Sequence, residues 1–302
     1  DAMVGAMTQD RATGVYGSLG QAPKMVPVKL NVRTSRGLSE TIEVEVTRDD
    51  FLTPLLVNMS IYNTIIARER SLGDTMVEVS GEIRLKGQES IKLNRRFAGS
   101  AATQLAAAAV AAPVQALMQS NFADLDITGI EVNLASVDGS RTGVLQRISV
   151  DRTQAAAGET VEVQAYARTQ SGRIFVQRIP VKIPSDTPVG PLSINVGDGF
   201  AIQKDSAAQQ FVPSDLADLV RNINRVKLSD RLYVQTARTT RGAIIGSSEM
   251  PNLPPSVLAT VNNERTAGGI KPVVQTVGSE TEVPPAELLI SGHQSRTIEV
   301  IK

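Results

Sequence analysis

His293 is the single histidine among 302 residues, and cysteine is absent. A Ser–His–Asp hydrolase needs a base held by hydrogen bonds beside an activated hydroxyl. His293 stands in Ser291-Gly292-His293-Gln294, with no Gly-x-Ser-x-Gly elbow to serve it, and reads as an exposed turn residue. Without cysteine there is no thiolate nucleophile, no disulfide and no Cys-based zinc site. Asp124-Leu125-Asp126-Ile127-Thr128-Gly129 opens like a calcium loop, but the twelfth position, where a bidentate Glu belongs, is Ala135. It reads as a polar turn before a strand. Gly197-Asp198-Gly199 and Gly268-Gly269 are tight-turn signals outside the strand–loop–helix pattern that cradles phosphate. Arg95-Arg96 and the pair Arg238 and Arg241 are small basic spots of the kind that face solvent or form ion pairs. Asn58-Met59-Ser60 is a formal glycosylation sequon inside a helical pattern, where it reads as chance. No catalytic, cofactor-binding or metal-ligating residue is assigned.

Composition narrows the partners. Lys plus Arg and Asp plus Glu both total 31, so no net field draws in nucleic acid or an acidic membrane. Aromatics make up 3%, too few for base-stacking platforms. Cores must be built from Val, Ile, Leu and Ala, which favours β-branched sheets and close-packed Ala-rich helices. No stretch reaches the ~20 apolar residues of a membrane-crossing helix. The nearest, 101–118, is interrupted by Gln104, Pro113 and Gln115.

The elements that must position these residues are mainly strands. Alternation marks strands over 3–8, 14–19, 24–33 and 40–47. The period then changes: Leu52, Leu55, Leu56, Met59, Tyr62 and Ile66 recur at helical spacing, with Asp49 or Asp50 as N-cap and Pro54 in the first turn. A helix over 51–70 is expected. Strand character returns over 75–97, with Gly81 and Gly87 at a bulge or turn. A second helix over 101–118 would be capped by Ser100 and kinked at Pro113. Ile127 starts another strand. Residues 140–199 are nearly all strand signal, with turns every ~8–12 residues, which points to a small immunoglobulin-like sandwich. Sixty residues is short for that fold, so strands borrowed from neighbouring segments are expected. In 200–302, Pro213-Ser214-Asp215 opens a helix, 231–238 is a strand, Ser256 starts a short helix, and three closing strands follow. The fold class is mainly β with a few helices (α+β). Three regions are expected: 1–139, a peptidase-like β-sheet region with two packed helices; 140–199, the sandwich; and 200–302, mixed.

One stretch is distinctive: Val4-Gly5-Ala6-Met7-Thr8-Gln9-Asp10-Arg11-Ala12-Thr13-Gly14-Val15-Tyr16-Gly17-Ser18-Leu19-Gly20-Gln21. It resembles the strand–turn–strand motif of SpoIVB-type serine peptidases, in which Gly-x-Leu-Gly leads into the catalytic His. Here Gln21 occupies that His position, and an amide is no general base near neutral pH. The Ser-Gly-Ser-Pro of the family's nucleophile is also absent. Looser likeness at Asp50-Phe51-Leu52-Thr53-Pro54, Phe97-Ala98-Gly99, Met118-Gln119-Ser120 and Ile183-Pro184-Ser185-Asp186-Thr187-Pro188-Val189-Gly190-Pro191-Leu192 is similar to the C-terminal half of long bacterial envelope proteins that begin with such a peptidase region.

The resemblance implies an extracytoplasmic bacterial protein, the processed C-terminal product of a peptidase-like precursor. The expected role is a non-catalytic structural or binding module. It would act by pairing strand edges with copies of itself (a homo-oligomer) or with an envelope partner. The Pro-rich stretches 252–255 and 281–285 would serve as arms. The alternative is an accessory part of a peptidase whose catalytic residues lie upstream. No cofactor and no nucleic-acid partner are expected.

Overall fold

In the segment Met25–Arg33 every second residue is apolar, and Val26, Val28, Leu30 and Val32 are all buried. This period-2 burial builds most of the molecule. The computed structural model describes residues 5–11, 13–20, 22–68, 75–139, 141–206, 213–245, 248–250 and 270–302. The protein is mostly β, with four helices among the described residues, and its class is α+β. The chain forms two compact units rather than three consecutive regions: 1–140 with 213–226, and 141–212 with 227–302.

The first unit starts with a hairpin, β1 (Gly5–Arg11) and β2 (Gly14–Leu19), whose strands pair only with each other among the described residues. Then follow β3 (Met25–Arg33), β4 (Ser39–Thr47), α1 (Leu52–Arg68), β5 (Thr75–Leu85), β6 (Ile91–Gly99), α2 (Ala102–Met118) and β7 (Ile127–Asp138). The sheet order is β4-β3-β7-β5-β6, with β3 and β7 parallel and the other pairs antiparallel. Both helices bury one face in the core that this sheet lines. The alanine run of α2 places Ala102, Ala106 and Ala107 in that core, where their small size permits close approach.

Asp49 caps α1: its Oδ1 accepts from the backbone N–H groups of Phe51 (2.9 Å) and Leu52 (2.7 Å), while Thr53 Oγ1 accepts from Asp49 N–H (2.8 Å). This reciprocal pair satisfies donors that a helix start leaves free. The expected cap of α2 at Ser100 is not made. Ala101 holds the N-cap position without a side-chain bond, and the helix runs through Pro113 without a break.

The helix opened by Pro213-Ser214-Asp215 is α4 (Leu216–Arg225), which packs in the first unit, away from its sequence neighbours. Asp215 caps it, accepting from Asp218 N–H at 2.7 Å. Leu216 and Val220 are buried in the first core. Asn224 ties α4 to β6, accepting from Lys92 N–H (2.9 Å) and donating to Ser90 C=O (3.1 Å).

The second unit contains β8 (Thr142–Val150), β9 (Gln154–Ala156), β10 (Thr160–Thr169), β11 (Ile174–Lys182), β12 (Gly190–Asp198), α3 (Gly199–Ser206), β13 (Leu232–Ile245), β14 (Ser248–Met250), β15 (Ile270–Glu282), β16 (Leu289–Ser291) and β17 (His293–Ile301). One sheet has the order β11-β10-β8-β16, the other β14-β13-β12-β17-β9, with β15 beside β13. Apolar residues of both sheets share one core, including Val163, Ile179, Ile194, Val234 and Ile298. The sandwich cannot close within 140–199. Its second sheet is built on strands from beyond residue 230, so the boundary expected at 199/200 falls inside one unit. The strand expected over 231–238 runs on to Ile245.

Two expectations about loops change. β12 passes directly into α3, a helix absent from the sequence reading. Residues 281–285 form no free arm: Thr281 and Glu282 pair with Val234 and Tyr233, Val283 is buried, and Gln177 Nε2 donates to Pro284 C=O at 3.1 Å. Residues 252–255, the helix expected from Ser256 and Gly268-Gly269 lie outside the described residues.

Candidate functional site

The residues with chemical potential are dispersed. His293 is exposed at the start of β17, in register with Gly197. Asp126 pairs with Arg48, whose Nη1 donates to its Oδ1 at 3.0 Å, so this carboxylate supports the turn before β7. Gly197-Asp198-Gly199 does lead a strand into a helix, contrary to the sequence reading, but no anion site results. Asp198 places its own carboxylate at the helix start, accepting from Ala201 N–H (2.9 Å) and from Gly292 N–H (2.7 Å). A phosphate there would meet a fixed negative charge. Asp198 thus ties the start of α3 to the β16–β17 turn, a role visible in sequence only as an Asp three residues before Ala201. Arg238 Nη2 donates to Pro188 C=O at 2.5 Å, whereas Arg95 and Arg96 sit on β6 opposite Val79 and Glu78. Asn58 lies within α1. Gln21, the position that resembles the peptidase His, lies outside the described residues. Among the described residues no three His, Asp or Glu side chains gather as metal ligands. Among them, too, no helix is long and apolar enough to cross a membrane.

What the structure does assemble is surface. The sheet face of the first unit opposite its helices carries an in-register polar row, Thr41–Asn31–Asn133–Ser80–Asn94, across all five strands. Thr41 Oγ1 donates to Asn31 Oδ1 and Asn31 Nδ2 to Asn133 Oδ1, both at 2.9 Å. A shallow depression of about 400 Å³ lies over this row. Beside it runs a charged row in which Lys92 Nζ meets Glu82 (2.6 Å) and Arg84 meets Glu131 (3.2 Å). The bond from Lys92 holds the Glu82 carboxyl below its ordinary value of 4.5. These groups satisfy one another and leave a level polar face.

Strand edges differ in how they are guarded. β4 carries Glu40, Glu43 and Glu45, β6 carries Lys92, Arg95 and Arg96, and β11 carries Arg178, Pro180 and Lys182. Charges and proline on an edge discourage added strands. β15 is 13 residues long and pairs only with β13 among the described residues. After Lys271 and Pro272, its stretch 273–278, Val-Val-Gln-Thr-Val-Gly, carries no charge.

α1 is apolar on two faces. Val57, Ile61 and Ile65 are buried in the core, and Leu52, Leu55, Met59, Tyr62 and Ile66 form a second stripe, each 40–53% exposed. No charged residue occurs between Leu52 and Ala67. The helical spacing of these residues is legible in the sequence, but not that they face away from the core.

No family model, no curated protein and no solved structure matches this chain.

Proposed function

We propose that this protein is a non-catalytic structural or binding module of the bacterial cell envelope, working by addition of an extended segment to an open strand edge. The observation that carries the reading is β15: a long edge strand, uncharged over 273–278 and paired on one side only among the described residues. Main-chain donors and acceptors on such an edge supply affinity to any extended segment, from a copy of the chain or from a partner. The separation of exposed His293 from Asp126 and Asp198, whose carboxylates hold a turn and a helix start, supports a non-catalytic reading. The extracytoplasmic placement, and descent from a processed peptidase-like precursor, rest on the resemblance of residues 4–21 to the SpoIVB-type motif.

Size-exclusion chromatography with light scattering tests the edge. The chain is expected to form species larger than a dimer, and Gln275→Lys, which puts a charge on β15, is expected to remove them. Larger species that persist unchanged in Gln275→Lys would count against β15, as would a chain that never exceeds a dimer and takes up no extended peptide. The alternative, an accessory part of a serine peptidase with catalytic residues upstream, is favoured by the same hairpin motif. A fluorophosphonate probe separates the two: labelling of the pure chain that vanishes on heat denaturation would favour the enzyme.

A further inference from the structure

An exposed apolar stripe on a packed helix is unusual. A surface helix normally buries its apolar face and turns charge to water. In α1 the core-facing side already takes Val57, Ile61 and Ile65, so the second stripe is surplus to the fold of its own unit. Its members follow the sequence numbers 52, 55, 59, 62 and 66, an alternation of three and four. That is the a/d spacing of a helix meant to pack along another helix.

We propose that α1 is a self-association helix, its stripe docking on the same stripe of a second copy, antiparallel, about a two-fold axis at Met59. The proposal stands on α1 alone and does not require strand addition at β15.

The spacing is self-complementary in this orientation. With Met59 on the axis, Leu52 meets Ile66 of the other copy, Leu55 meets Tyr62, and Met59 meets itself. Each layer then pairs apolar groups of comparable size, and the flexible Met at the centre adapts to its twin. Tyr62 presents its ring to Leu55 while its hydroxyl reaches the rim. Asn58 flanks the stripe one residue from the axis, where its amide, which both donates and accepts, faces its own copy.

Charge selects the antiparallel copy. Apart from its ends the helix is uncharged, so two copies meet without repulsion. Acidic Asp49 and Asp50 lie at its start and basic Arg68 at its end. The same two-fold axis brings Asp50 of one copy to Arg68 of the other. Arg68 spends Nε and Nη2 on Glu40, at 2.7 and 2.9 Å, which leaves Nη1 for that contact. A parallel pair would set acidic beside acidic. Antiparallel helix dipoles add to the preference.

The area suffices. The five side chains with the exposed Phe51 present on the order of 500–600 Å² per copy, and the pair about twice that, enough to clear the ~1,000 Å² of a biological interface and of the size of a weak, reversible one. Two-fold dimers are also the commonest symmetric assembly.

Analytical ultracentrifugation of the full chain over a concentration series tests the proposal. In the Gln275→Lys chain, where the larger species are removed, a monomer–dimer equilibrium is expected. Met59→Asp, an exposed site whose change spares the core, sets two carboxylates face to face and is expected to weaken dimerisation at least about tenfold. A circular-dichroism melt checks that the variant folds. Because the chain has no cysteine, Met59→Cys introduces one thiol per copy. Oxidation should link it into a covalent dimer, whereas Lys92→Cys on the opposite sheet face should remain unlinked. A chain monomeric at every concentration overturns the proposal. So does a dimer that survives Met59→Asp unchanged, or one lost on Gln275→Lys instead, which would place the contact at β15.

Discussion

At Gly81 the backbone leaves no room for a side chain. Its φ is +144°, and a Cβ built there would lie 2.0 Å from the carbonyl oxygen of Glu131 on the neighbouring strand. Backbone cannot yield as a side-chain tip would, so Gly81→Ala must push β5 from β7 at the centre of the five-stranded sheet. A loss of more than about 3 kcal/mol is expected from such combined strain, read by urea denaturation. A variant with near wild-type stability would mean that the two strands separate more easily than their ladder suggests. A second residue-scale effect concerns acid. Glu40, Glu82 and Asp218 are all held below their ordinary values, chiefly by hydrogen bonds from Arg68, Lys92 and Ser214 N–H respectively. A carboxylate with a depressed folded value contributes stability above its unfolded value, and that contribution fades as pH falls through the folded one. For Glu82 the fading begins below 4.5. The stability gap between wild type and Glu82→Gln should therefore be widest near neutrality and close in acid. A gap that stays constant with pH would show that Glu82 acts through packing rather than charge.

The elements of the first unit follow from local chemistry, and so most were legible in the sequence. Asp49 sits where the alternation of β4 gives way to helical period, and in the structure it caps α1 with Thr53 bonding back to it. Asp49→Ala should cost about 1 kcal/mol in urea melts, within the range for lost N-caps. Loss of a few tenths only would show that Asp50 takes over the cap. Other elements escaped because their signals are tertiary. β9 has three residues and exists only because β17 lies beside it in parallel. α3 begins within a run that still reads as strand, and Asp198 turns it by bonding both Ala201 and a glycine 94 positions away. No local pattern reports the second of those bonds. The candidate surfaces divide in the same way. The uncharged stretch of β15 and the stripe of α1 are readable as sequence patterns. That β15 lies at an edge, and that Met59 and Tyr62 face outward, depends on strand order and on which side of α1 the core claims.

The whole molecule is interleaved. Helix α4 is flanked on both sides by sequence of the second unit, yet Leu216 and Val220 are buried in the first core and Asn224 completes the end of β6. In the sequence, Asp215 and the apolar period of Leu216, Leu219 and Ile223 reveal a helix but not its address, so position alone assigns it to a C-terminal region. A packed helix that crosses between units makes a definite claim about stability. Leu216→Ala leaves a cavity in the first core and should cost about 2–5 kcal/mol there. Hydrogen exchange on the full chain reads each unit separately, since amide protection reports local opening free energy. Faster exchange is expected in β5, β6 and β7, which lie 78 to 141 residues upstream of the substitution, while β10 and β11, much closer in sequence, keep their protection. Equal loss in both sheets would show that the chain opens as one cooperative body. Loss confined to β12 and β13, on either side of α4 in the chain, would show that its contacts in the first core carry no stability.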